Sequence, residues 1–149
     1  MADPSQPAGR ILALDLGKRR IGLALSDELR VTAQGLATLE RINIREDLAA
    51  LAALASERGV SEFLVGLPLH MSGDEGRQSG FARDFGRRLG ERTGVPVTFW
   101  DERLTTVEAQ RVLRSSGISI EKRARAVDRL AAVILLESYL DSLEAPAND

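Results

Sequence analysis

The chain has 149 residues, 44% of them hydrophobic and 28% charged, with 20 basic and 22 acidic side chains and a formal charge of −2. That length serves one ordinary domain around a single core and excludes a two-lobed enzyme. The near-neutral balance excludes an overall positive field, so a nucleic-acid partner must be met by a local patch, and the absence of cysteine excludes disulfides, thiolate metal sites and thiol nucleophiles together.

Residues 1–9 and 145–149 are small, polar and proline-bearing and are expected to be disordered tails on one domain spanning residues 10–144. Met1 to Gly9 has no apolar core region, and no later stretch approaches the roughly 18 consecutive apolar residues of a membrane span. The expectation is a soluble, cytoplasmic protein with no membrane partner. Arg10 to Leu16 is a nearly unbroken apolar run closed by Gly17, which reads as a central strand covered on both faces. Gly17 to Arg20 forms a polar turn, Ile21 to Ser26 a second strand, and Asp27-Glu28 a break before a third strand near Val31 to Leu39.

The period then changes. Leu48, Leu51, Leu54 and Ala55 recur at helical spacing, Asn43 with Glu46 offers a cap, and Gly59 a stop. Ser61 to Leu67 is a buried strand, and Phe81, Phe85 and Leu89 mark a second helix ending at Gly94. Ser72 with Glu75 fits a capping box for it, although Gly76 and Gly80 weaken its first turns. Val97 to Trp100 is a fifth strand, Thr105 with Glu108 caps a third helix ending near Gly117, and a long helix runs from about Ala124 to Leu143. A meander followed by alternating helices and strands predicts an α/β fold with a five-stranded mixed sheet of order 3-2-1-4-5 flanked by helices. Ligands of open α/β sheets sit beyond the carboxyl ends of the parallel strands, here after strands one, four and five.

Each of those ends carries something unusual. Asp15 lies among Leu12, Ala13, Leu14 and Leu16, where an unpartnered carboxylate is costly; taken alone it reads as an acceptor for the Gly17 turn. Asp101 and Glu102 end strand five, and alternation sends them to opposite sides; alone, they read as a solvated strand end. Asp128 borders the apolar stripe of the last helix, and Ala131 and Ala132 one turn on would let that helix approach the sheet closely; alone, it reads as a partner for Arg125 or Arg129. Jointly they describe an all-oxygen cation site suited to a hard divalent ion such as Mg²⁺. Two such ions, about 3.5–4 Å apart, can stabilise the attacking and leaving oxygens of phosphoester cleavage.

The single histidine, His70, argues against zinc chemistry and a serine-histidine triad. Gly66 to Gly73 reads equally as a strand-to-helix turn or as an anion-binding loop. Between Arg111 and Arg129 there are six basic residues, Arg111, Arg114, Lys122, Arg123, Arg125 and Arg129, against two acidic ones. That stretch reads either as a solvated face or as phosphate contacts. Aromatic content of 4% counts against modules that hold single strands by base stacking.

Four blocks in order, Asp15 to Gly22, Gly66-Leu67-Pro68 with Gly73, Asp101 to Thr106, and Asp128 with Ala131-Ala132 and Leu136 to Leu140, resemble the YqgF or RuvX family. The resemblance covers most of the chain. It implies a ribonuclease-H-like, RuvC-related fold and a Mg²⁺- or Mn²⁺-dependent nuclease that matures the 5′ end of pre-16S ribosomal RNA, a role in ribosome biogenesis. Asp15, Asp101, Glu102 and Asp128 would then be the catalytic, metal-holding acids, with Arg20 and Arg103 contacting phosphate and Lys18 and Arg19 assisting. The implied partners are structured RNA and ribosomal particles, met as a monomer or homodimer. In contrast to the resolvases of this fold, the second acidic group follows strand five, while strand four ends in Gly66-Leu67-Pro68. Two alternatives stay open: a Holliday-junction resolvase, and a noncatalytic RNA- or ribosome-binding module. A sugar-kinase or actin-like ATPase is excluded by size, because that architecture needs two such domains.

Overall fold

The computed structural model describes residues 9–68, 76–101 and 120–144, except the side chains of residues 120–125 and 144. His70, the Ser72–Glu75 box, the expected helix from Thr105 to Gly117 and the two tails, Gly9 apart, lie outside the described residues. The elements are β1 (Arg10–Leu16), β2 (Arg20–Ser26), β3 (Ala33–Glu40), α1 (Ile44–Arg58), β4 (Val60–Leu67), α2 (Arg77–Thr93), β5 (Val97–Asp101) and α3 (Ile120–Glu144). They build one sheet of order β3-β2-β1-β4-β5, as the meander and alternation predict. β1 pairs antiparallel with β2 and parallel with β4, and β4 pairs parallel with β5.

Local chemistry sets the boundaries. The Asn43 side chain accepts the Glu46 amide at 2.9 Å and starts α1, and the left-handed Gly59 and Gly94 end α1 and α2. Some expected boundaries shift, among them the start of α3, at Ile120 and not near Ala124. β3 begins at Ala33 and not near Val31, because the Asp27 carboxylate takes the amides of Val31 and Thr32 at 2.7 and 2.9 Å and holds both in the turn. That hydrogen bonding, led by Thr32, keeps the Asp27 carboxyl below the usual carboxylate range. Among the described residues, α2 runs from Arg77 behind Gly76, whose position offers no side-chain cap; the Ser72–Glu75 box lies outside them.

Alternation along β1 divides the core into two layers. Leu12 and Leu14 face α1 and α2, packing with Leu51, Phe85 and Leu89. Ile11 and Ala13 face α3, packing with Ala132, Leu135 and Leu136. Each fully buried Leu or Phe of these layers contributes about 1.5–3 kcal/mol. α3 comes unusually close to the sheet: Ala131 and Ala132 are fully buried, and the Gly22 Cα faces the Asp128 carbonyl so closely that a Cβ there would collide with it. No helix of the described residues is long and apolar enough to cross a membrane.

Gly22→Ala must therefore lift α3 off β2. The expected cost is that of overpacking, about 1–3 kcal/mol, read as a lower urea midpoint with an unchanged slope.

Candidate active site

Asp15 stands opposite Gly22 in the β1–β2 register. Side chains directly opposite on neighbouring antiparallel strands share a face, and Gly22 has none. The Asp128 backbone occupies the space over it. By alternation from Ile11 and Ala13, Asp15 lies on the face that α3 covers. Two acids from opposite ends of the chain thereby line one open cavity of about 510 Å³.

The cavity lies beyond the ends of β1 and β4. There the chain leaves β1 toward β2 on one side and β4 toward β5 on the other, which is the topological switch point of the sheet. Lys18, Arg41 and Arg77 bring cationic side chains to the same cavity, and Leu16, Pro68 and Phe81 supply apolar wall. Arg77 opens α2, whose first turn carries no acidic residue, so the helix dipole adds to the positive side of the cavity.

The Asp128 carboxylate is asymmetric. Its Oδ2 accepts from Arg20 Nε at 3.1 Å, whereas a methyl group at Gly17 would lie 3.9 Å from its Oδ1. Burial raises the Asp128 carboxyl above the ordinary value. The Arg20 hydrogen bond and charge oppose that shift only in part, and Glu40 adds to it. Arg20 also lies 3.9 Å from Glu40.

The other candidate residues divide by place. Arg19 lies in the exposed turn, and its carbonyl accepts the Arg41 amide at 2.8 Å. Asp101 is exposed at the end of β5 and is not part of the cavity lining. The Trp100 ring meets Tyr139 of α3 edge-on at 5.2 Å, and Phe99 packs with Val65, Leu67 and Ala82 on the opposite face. Alternation gives Asp101 to the Phe99 face. Glu102, Arg103, Arg111 and Arg114 lie outside the described residues, as do the side chains of Lys122, Arg123 and Arg125 on α3. Among the described residues no group of three or more His, Cys, Asp or Glu side chains could hold a metal ion; the cavity offers two carboxylates.

Sequence reasoning missed Arg41 and Arg77, and read Phe81 only as core. The available signal was position: Arg41 ends the meander just before the Asn43 cap, and Arg77 opens the helix after strand four.

Solved structures define the class. Thermus thermophilus RuvC in complex with a Holliday junction substrate superposes with a TM-score of 0.57 at 14% identity, over 91% of this chain and 96% of RuvC. A fowlpox virus resolvase bound to Holliday junction DNA gives 0.55 at 13%, over 91% and 99%. At such identities the likeness concerns the fold, which is ribonuclease-H-like. The family model RuvX, described as Holliday junction resolvase, matches residues 9–142, and the chain belongs to the RuvX family of nucleases. A relative from Koribacter versatilis is 53% identical over 95% of this chain and 92% of its own length. One from Moorella thermoacetica is 49% identical over 90% and 96%. Both carry the name "Putative pre-16S rRNA nuclease".

Because the fold raises the Asp128 pKa, the unfolded chain releases that proton first as pH rises, and stability falls until the folded carboxyl has also ionised. Asp128→Asn is therefore expected to be at least as stable as the parent at pH 7 in EDTA. The gap should narrow as pH falls toward 4, as read from urea unfolding at several pH values.

Proposed function

We propose that the chain is a divalent-metal-dependent nuclease that hydrolyses a phosphodiester bond of structured RNA, at the 5′ end of pre-16S ribosomal RNA. The observation that carries this reading is the convergence of Asp15 and Asp128 on one cavity at the switch point, with Lys18 and Arg77 on its walls. Hard oxygen donors fit Mg²⁺ or Mn²⁺, and a chain without cysteine and with one histidine fits zinc poorly. The half-buried Asp128, whose ionised form burial disfavours, is a carboxylate that a cation would relieve. When bound, the ion would polarise the scissile phosphate and lower the pKa of an attacking water.

The chain's own residues divide the remaining work. Asp15 and Asp128 hold the ion through carboxylate oxygens. Arg20 fixes the Asp128 rotamer through Oδ2, which leaves Oδ1 for the ion. The parity of β5 gives Asp101 to the other face, which favours Glu102 as the third acidic donor. Lys18 and Arg77, which line the same cavity, contact substrate phosphates, and Leu16 and Phe81 limit water at the cavity wall. Arg19, Arg103, Arg114, Lys122, Arg123 and Arg125 supply outlying phosphate contacts, which positions the substrate without reading its sequence. The relatives' name supports RNA as the substrate, and the cytoplasm is where ribosomal precursors are met.

A second reading, cleavage of four-way DNA junctions by a homodimer, is favoured by the match to resolvases over nearly their whole length and by the family description. Parallel assays with precursor RNA and a mobile four-way junction, with mass measured in solution, separate the two. A monomer that cuts RNA and ignores the junction supports the first.

The parent is expected to cut RNA with Mg²⁺ or Mn²⁺ and to stop in EDTA. Asp15→Asn should lose more than the roughly 10–100-fold that follows loss of an outer-shell partner of a metal. Full-rate cleavage by that variant would remove the mechanism, and salt-sensitive RNA binding indifferent to EDTA, without cleavage, would leave a binding module.

A further inference from the structure

The turn that follows Asp15 is gripped from outside by one side chain. Arg41 Nη1 donates to the Gly17 carbonyl at 2.7 Å, and the Arg41 amide donates to the Arg19 carbonyl at 2.8 Å. Within the turn, the Gly17 amide donates to the Asp15 and Arg20 carbonyls at 3.1 and 2.9 Å. The backbone carrying Asp15, and that carrying Arg20, which bonds Asp128, therefore meet at Gly17, and Gly17 is tied to Arg41.

Arg41 is itself fixed on three sides. Its guanidinium lies over the Phe81 ring, 4.9 Å from the centroid, a cation–π contact that also joins the turn to α2. Its Nε is 3.8 Å from Asp47 Oδ2. Asp47 Oδ1 accepts the amide of Ile42, the residue after Arg41, at 3.0 Å. The Asp47 side chain is only 2% exposed, and Oδ2 has no hydrogen-bond partner. Burying a carboxylate this way is costly unless a cation neutralises it. Capping does not account for it, because Asn43 already caps α1. What Asp47 does is hold Arg41 at both ends, its backbone through Ile42 and its head group by charge.

We propose that Arg41, anchored by the buried Asp47 and by Phe81, is a positioning residue that sets the β1–β2 turn, and through it Asp15, for the divalent ion. This rests on the metal-dependent reading above. The guanidinium's planar fork reaches a carbonyl, a ring and a carboxylate at once; an ammonium group cannot.

The test uses the full chain with Mn²⁺ as the probe, its binding followed by electron paramagnetic resonance in the parent and in Asp15→Asn, Arg41→Lys and Asp47→Asn. Amide chemical shifts of residues 15–19 are recorded without metal. Arg41→Lys keeps the charge opposite Asp47, so the fold should hold. The expected result is a Mn²⁺ dissociation constant raised about 10-fold, the low end for outer-shell losses. Displaced Gly17 and Lys18 amides and a fall in kcat with KM for RNA little changed should accompany it. Asp47→Asn should move all three readouts the same way and less, and it decides the matter if Arg41→Lys does not fold. Parental Mn²⁺ binding in both variants, with binding lost in Asp15→Asn, would overturn the positioning role and leave the nuclease reading standing. Equal binding by the parent and Asp15→Asn would overturn both.

Discussion

The approach of α3 to β2 at Gly22 is the constraint on which the rest depends. A helix backbone can sit against a strand only where the strand presents no side chain and the helix presents small ones. Gly22, Ala131 and Ala132 meet that condition together. The register then does the remaining work, since Gly22 is the cross-strand neighbour of Asp15, and the residue of α3 over Gly22 is Asp128. One steric allowance thus turns two acids from opposite ends of the chain into neighbours.

Electrostatics gives that geometry a direction. Burial disfavours the ionised Asp128, and Arg20 compensates incompletely, so stability at neutral pH is sacrificed at this position. Such local costs concentrate where function requires them. A second, more deeply buried carboxylate, Asp47, also faces a single arginine, at 3.8 Å. Two acid–arginine pairs, Asp128 with Arg20 and Asp47 with Arg41, brace the two ends of one turn. Both arginines belong to the meander, and both carboxylates belong to helices packed on opposite faces of it.

The strand order and layer plan were legible because β1 and the later part of β4 are nearly continuous apolar runs and both α1 and α2 stop at glycine. Asn43 was legible as a cap because its partner Glu46 lies within one turn. Val31 misled for the opposite reason: its β-branched side chain favours a strand, yet a carboxylate four residues earlier captured its amide. Asp15 and Asp128 could be singled out from strand-end position and from the small residues on α3. The pairing of Arg20 with Asp128 could not, because it spans more than a hundred residues and several arginines qualify equally. Arg41 and Arg77 look like ordinary loop cations, and what distinguishes Arg41, a buried acid behind it and a ring beneath it, exists only in three dimensions.

Strand parity carries the last step of the site's logic. Along β1 the face of α3 takes Ile11, Ala13 and Asp15, and along β5 it takes Trp100, whose ring meets Tyr139. Asp101 belongs to the other face, with Phe99, Val65 and Leu67. A sheet cannot present two consecutive residues of one strand to the same side, so Trp100 and Asp101 are divided between the two faces. Between β1 and β5, β4 ends in Gly66-Leu67, followed by Pro68, and places no acid at that end. The ion proposed above would therefore be held by acids on the α3 side of the sheet, with Lys18 and Arg77 lining the same cavity. On the function proposed above, that polarity would draw a phosphate's negative oxygens toward the cations while the carboxylates held the ion.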